Sequence, residues 1–209
     1  MRFLAFSLMI VFGYHPHAAH AQSSSLEPVS VRERHPDIPI DAPYAGVSNV
    51  FGQKLYTADR GVAMGTLGAL ESLHCVRERL AAYNLDVIIW DFYRPHAVQW
   101  MMWEQVPDPT YVADPNYGSN HNRAAAIDVT LRDRTTGAEL DMGTGFDDFS
   151  ERAWHGNRNL PADVSERRNQ LRSDMDYCNF SSYSAEWWHY THGPTSGVDG
   201  AQLHPFQMW

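Results

Sequence analysis

The chain has little with which to hold a polyanion. Its 209 residues carry 16 lysines and arginines against 25 aspartates and glutamates, a formal net charge of −9. No basic stripe offsets that balance, which argues against nucleic acid as a partner. Cysteine is scarce: Cys75 and Cys178 are the only two, too few for a metal site with three or four cysteine ligands. No internal repeat or low-complexity tract is present, which excludes a repeat array. Long apolar runs are missing too. The stretch "FLAFSLMIVFGY" near the start falls short of the roughly 20 residues a bilayer requires. What is present is ordinary domain material. A composition of 44% hydrophobic and 12% aromatic residues suits one domain, and a chain of this size buries roughly 70% of its unfolded surface.

The first 21 residues differ from the rest. Arg2 is their only charge, the apolar run follows, and "AHA" precedes Gln22. A basic start, a short apolar stretch and a small-x-small site describe a secretory signal peptide over residues 1–21, cleaved after Ala21. The mature chain is then expected to be periplasmic or secreted, with no membrane span. Residues 22–40 are polar and proline-punctuated and read as an exposed arm, leaving residues 41–209 as the domain. Export permits a disulfide between Cys75 and Cys178, although spacing alone leaves open two buried thiols instead.

Periodicity supplies the elements. Apolar residues from Met64 to Tyr83 recur at three- and four-residue steps, the pattern of one helix face stopping near Asn84. "DVIIW" (86–90) is a β-branched run that predicts a strand buried on both faces, ended by Arg94-Pro95. A second helix is predicted over "HAVQWMMWEQV", before Pro107. In "AAAIDVTLRD", Ile127, Val129 and Leu131 alternate with Ala126, Asp128 and Thr130, the period of a half-buried strand. "DVSERRNQLRSDM" (163–175) predicts a charged surface helix and "EWWHYTH" a closing strand. Strands and helices in irregular order predict an α+β class: a single compact domain with a central antiparallel sheet flanked by helices.

Metal-ligating residue types gather in two of these segments. His121 sits in the turn "GSNHNR", and Asp128 follows seven residues later on the polar face of the predicted strand. His189 and Glu186 lie three residues apart in "EWWH". On a regular strand His189 shares a face with Trp187 and not with Glu186. Both reach one point only if Glu186 lies in the turn entering the strand. That would separate a ligand, His189, from a carboxylate free to work on water. Trp187 and Trp188 would dry the site and raise the carboxylate's proton affinity. The alternative is an aromatic core strand with a hydrogen-bonded histidine.

Five segments together break that tie. "DAPYAG", "WDFYRP", "SNHNRAAAIDVTL", "MGTGFDDFSER" and "YSAEWWHY" resemble, in order and spacing, the VanX-type D-alanyl-D-alanine dipeptidases. These zinc peptidases share the signature S-x-H-x6-D … E-x-x-H. The resemblance implies a hedgehog/D,D-peptidase-like fold with one Zn2+ on the sheet, held by His121, Asp128 and His189. It implies Glu186 as general base and Arg94 as stabiliser of the oxyanion. Tyr44, Ser119 and Asp147 match positions around the substrate's free amino end. Each also has a plainer reading: Arg94 in a structural salt bridge, Asp147 shaping a turn, Ser119 capping the turn before His121, Tyr44 packing in the core. His74, His96, His155 and His192 match no motif.

Three ligands and an open fourth position are what hydrolytic zinc requires. The implied activity is hydrolysis of a small D,D-dipeptide. A D,D-carboxypeptidase acting on longer peptidoglycan stems is the nearest alternative, and a non-catalytic metal-containing binding module the more distant one. Two departures from the family pattern bear on substrate preference. Ala124 stands where glycine is usual, with strain of about 1 kcal/mol if the position requires positive φ. Phe92 stands where glycine commonly precedes "YRP", with bulk that would narrow or reshape the pocket.

Overall fold

Leu85–Asp91 (β3), Ala126–Asp133 (β4), Phe180–Tyr183 (β5) and Glu186–His192 (β6) form a four-stranded antiparallel sheet in the order β3-β4-β6-β5. The computed structural model describes residues 28–56 and 64–193, and the predicted signal peptide lies outside them. A smaller two-stranded sheet pairs Pro28–Ser30 (β1) with Met64–Thr66 (β2). The helices are Val31–Arg34 (α1), Leu67–Ala81 (α2), His96–Trp103 (α3) and Ala162–Tyr177 (α4). This is the α+β architecture with a central antiparallel sheet that the sequence predicts. Among the described residues, no helix is long and apolar enough to cross a membrane.

One apolar core lies under the sheet. Leu70, Leu73, Val76 and Leu80 on α2 meet Val87, Ile89, Ile127, Val129 and Leu131 from β3 and β4, all essentially inaccessible. Leu171 and Met175 of α4 join them, so α4 is a surface helix with one buried edge. A disulfide between Cys75 on α2 and Cys178 at the end of α4 fastens the two helices, with Cα atoms 5.9 Å apart. A second cluster, of Tyr44, Phe51, Leu55, Tyr56, Val98, Met102 and Val112, lies to one side of the first.

Three expectations need correction. The helix predicted from Met64 begins only at Leu67. Met64–Thr66 pairs as a strand, and the Thr66 hydroxyl accepts from the Ala69 amide, which caps the helix there. The expected exposed arm is packed from Val29 onward: Val31 and Ile38 are buried, and Ile40 bridges Ile89 of β3. Arg77 fixes this segment, since it bonds both Asp37 and the buried Asp86. The third correction is to β4, expected to be half-buried. It is buried on both sides from Ala126 to Leu131, because β3 and β6 flank it and side chains cover both faces. Its polar residues Asp128 and Thr130 therefore face protein, not solvent.

Candidate active site

Two irregularities in the sheet aim the functional side chains. Between β3 and β4 the register slips, so that Ile89 pairs Val129 but Asp91 pairs Asp128. Trp90 is the extra residue, and Asp91 is carried beside Asp128. Between β5 and β6, Ser182 pairs Tyr190 whereas Tyr183 already pairs Glu186. Trp187, Trp188 and His189 have no β5 partner across that gap. This bulge breaks the two-residue alternation, as bulges do where a side chain must be re-aimed. Glu186, Trp188 and His189 consequently line one cavity of about 380 Å³, while Trp187 packs against Trp90 in the core. Glu186 is thus the entry residue of its strand, and the tryptophan beside His189 in the site is Trp188, not Trp187.

His121, Asp128 and His189 converge in this cavity, each with a ligand atom within 4.8 Å of the others. His121 Nδ1 lies 2.7 Å from the Phe92 carbonyl oxygen, which can only accept. Nδ1 therefore carries the proton, and the Nε2 lone pair points inward. His189 presents Nδ1, 3.0 Å from Asp128 Oδ1 and 3.1 Å from His121 Nε2. Burial would raise Asp128, but its charge interactions and hydrogen bonds with His121 and His189 outweigh that and hold it well below the usual carboxylate range. Burial pushes His189 down, against the pull of Asp128. A carboxylate and neutral imidazoles are the ligand-ready forms. Two imidazole nitrogens and one carboxylate oxygen form a donor set that fits Zn2+ with a position left open.

Glu186 stands next to this trio without belonging to it, its carboxylate 3.9 Å from His189 Nδ1. Burial, then the charges of Asp128 and Asp147, raise its proton affinity well above the carboxylate norm, opposed by Arg94. Arg94 also faces the cavity. Its Nε donates to Asp91 at 3.0 Å, one terminal nitrogen lies 2.9 Å from the same carboxylate, and the other donates to Gln99 at 3.0 Å. Burial disfavours its charge, but Asp91 and its other neighbours more than restore it. Tyr56 also interacts with the guanidinium, whose five N–H groups are still not all spent. The Arg94 backbone is clamped to the His121 turn: its amide donates to the His121 carbonyl and its carbonyl accepts from Asn122.

Tyr44 and Asp147 meet directly. The phenol donates to Asp147 Oδ2 at 2.7 Å, while the ring packs on Tyr56 and Phe146. Asp147 has φ 55°, so its chain takes a left-handed turn that aims the carboxyl inward. Burial pushes that carboxyl up to about 7, with Tyr44 holding it back and Asp128 adding to the rise. Ser119 lines the same cavity, but its hydroxyl oxygen accepts from the His121 amide at 3.2 Å. No hydrogen bond joins it to Tyr44 or Asp147.

Ala124 adopts φ 54°, so the strain considered for the glycine-to-alanine departure applies. Phe92 does not narrow the pocket. Its ring is wholly buried in the core against Gly65, where an added Cβ would come within 2.5 Å of it. Asp91, Gln99, Tyr56 and Asn122 went unremarked in the sequence. Only the i,i+3 spacing of Asp91 and Arg94 could have pointed to any of them. Among the described residues the other histidines stay outside the site: His74 pairs Glu78 at the surface, His96 meets the Pro115 carbonyl, His155 packs on Tyr190, and His192 bonds Ser72.

The chain is similar to proteins of known kind. The family model for M15 peptidases, described as D-ala-D-ala dipeptidase, matches residues 24–205. A D-alanyl-D-alanine dipeptidase of Escherichia coli K12 is 36% identical over 168 residues, covering 80% of this chain and 86% of its own. Its namesake in Streptomyces coelicolor is 35% identical over 171 residues (72% and 84%), and that of Enterococcus faecium 32% over 168 (72% and 83%). A match across nearly the whole chain and relatives above 30% identity lead to one conclusion: the chain belongs to the M15 peptidases of the D-ala-D-ala dipeptidase type.

Proposed function

We propose that the protein is a zinc-dependent dipeptidase that hydrolyses D-Ala-D-Ala or a close D,D-dipeptide. The observation carrying this reading is the convergence of His121, Asp128 and His189 beside a non-ligand Glu186, in a cavity that also holds the Tyr44–Asp147 pair. His121 Nε2, His189 Nδ1 and an Asp128 oxygen would hold the ion. Zinc held there would supply Lewis acidity, of the kind that brings the pKa of a water to around 7 and favours the ionised form of nearby carboxyls. Glu186 takes a proton from the attacking water and returns it to the departing amine nitrogen as the C–N bond breaks. The unspent N–H groups of Arg94 face the oxygen on which negative charge develops. Asp147, held by Tyr44, pairs with the substrate's ammonium. Trp188 excludes water beside the reacting atoms.

The disulfide between Cys75 and Cys178 supports export to an oxidising compartment, in line with the signal peptide expected over residues 1–21. The cavity's modest volume, near the lower end of ligand pockets, favours a small substrate.

The deciding experiment compares D-Ala-D-Ala with its N-acetyl derivative, using zinc-loaded protein with and without chelator. Acylation leaves the buried Asp147 unpaired, so kcat/KM is expected to fall by about 10³ or more. Equal rates would favour a D,D-carboxypeptidase. Glu186→Gln should keep one zinc per chain and lose kcat by roughly 10²-fold or more. Loss of the zinc itself would make Glu186 a ligand and defeat the division of roles.

A further inference from the structure

A dipeptide carries two charges, and the Tyr44–Asp147 pair suits only one of them. The other, the C-terminal carboxylate, requires a cation. Two guanidinium groups line the cavity, those of Arg94 and Arg123. Arg94 is engaged with Asp91 and Gln99 and sits 3.8 Å from Asp128. Arg123 has no carboxylate within ion-pair distance among the described residues. It donates instead to two backbone carbonyls, NH1 to Ser119 at 2.9 Å and NH2 to Tyr117 at 3.2 Å. Those oxygens fix its position without cancelling its charge. Gly118, at φ 73°, turns the chain between them.

We infer that Arg123 is the carboxylate anchor of the substrate, an inference that rests on the peptidase reading and extends it to the opposite end of the dipeptide. Three N–H groups remain on the guanidinium after its two backbone bonds, enough for a paired contact with a carboxylate. The side chain is half-buried and already held, so binding orders little that was free. Its location also fits. Arg123 ends the short turn that begins with His121, so a carboxylate bound there lies one turn of chain from the metal-ligating imidazole. A scissile bond one residue in from the C-terminus needs that proximity. A neutral pin for the 117–119 loop would need no charge at all.

The test pairs D-Ala-D-Ala with its C-terminal amide, on the zinc-loaded wild type, Arg123→Gln and Arg123→Lys. Wild type should prefer the free acid by about 10–100-fold, the usual weight of a charge-assisted hydrogen bond. Arg123→Gln should abolish that preference through KM for the acid, leaving the amide rate near wild type. Arg123→Lys should keep part of it. Turnover of the amide reports an intact site, so a misfolded variant cannot pass for a supporting one. Retained preference in Arg123→Gln, or proportional loss on both substrates, overturns the assignment. Should N-acylated substrates prove equally good, the dipeptidase reading fails at the amino end. The same acid-to-amide comparison on the acylated pair then still decides the role of Arg123.

Discussion

Asp147 should make the protein less stable than it could be, and increasingly so as pH rises. Its carboxyl moves from an ordinary 3.8 to about 7 on folding, chiefly through burial. Between those values the folded chain holds a proton that the unfolded chain has released. Stability therefore falls as pH climbs through that window, and the penalty is complete above the folded value. At about 1.4 kcal/mol per pH unit, the full cost is about 4 kcal/mol. Asn is a close replacement: it accepts the Tyr44 hydrogen bond as the carboxylate does, and it tolerates the left-handed φ of 55°. Urea unfolding of chelator-treated wild type and Asp147→Asn, at about pH 5 and about pH 8, measures the effect. The variant should be the more stable, and its advantage should grow by about 2–3 kcal/mol between the two pH values. His121, Asp128 and His189 are common to both proteins, so the part of their titration that does not depend on Asp147 cancels in the difference. An advantage that does not change with pH would refute the reasoning. Loss of dipeptidase activity together with gained stability would show a functional group maintained at the expense of the fold.

Ala124→Gly should be nearly neutral in thermal unfolding. Relief of the left-handed strain at φ 54°, about 1 kcal/mol, offsets a lost buried methyl at about 0.8 kcal/mol. The same change at Ala126, equally buried but in β4, should cost about 1–2 kcal/mol. Gly65→Ala should overpack Phe92, whose ring the new Cβ would meet at 2.5 Å, and cost about 1–3 kcal/mol. Because the Phe92 carbonyl orients His121, zinc titration of that variant should also show weakened binding. Reducing the Cys75–Cys178 bond, which closes a loop across 103 positions, should lower unfolding stability by about 2–4 kcal/mol. Free thiols titrated in unreduced protein would contradict the pairing.

The fold was legible where burial imposes a period. β3 reads as a run because both of its faces are covered, and α2 reads as a helix because Leu70, Leu73 and Leu80 share the core. Phe180–Tyr183 was not legible. Two serines in "FSSY" give no alternation, and the strand exists because the turn before Glu186 folds it back on β6. The N-terminal segment misled for a related reason. Its polar composition suggested an arm, but Asp37 is held by Arg77, a residue 40 positions away. Charge spent on a distant partner looks, in sequence, like charge spent on solvent.

The site shows the same limit at finer scale. His121 and His189 could be picked out by type, and the order of the motifs brought Asp128 and Glu186 beside them. The geometry that lets them cooperate depends on two departures from regular pairing, at Trp90 and at Trp187–His189. A regular β6 would turn Glu186 away from His189, and a regular β3 would not set Asp91 opposite Asp128. Neither bulge contains a glycine that might have announced it. Both consist of large aromatics whose burial, on Phe146 for Trp90 and Trp188 and on Trp90 for Trp187, holds the irregular backbone in place. The tryptophans therefore do more than fill the core. They stabilise the two kinks that bring Asp128, Glu186 and His189 of the sheet to one cavity with His121 and Arg94 from the adjoining loops.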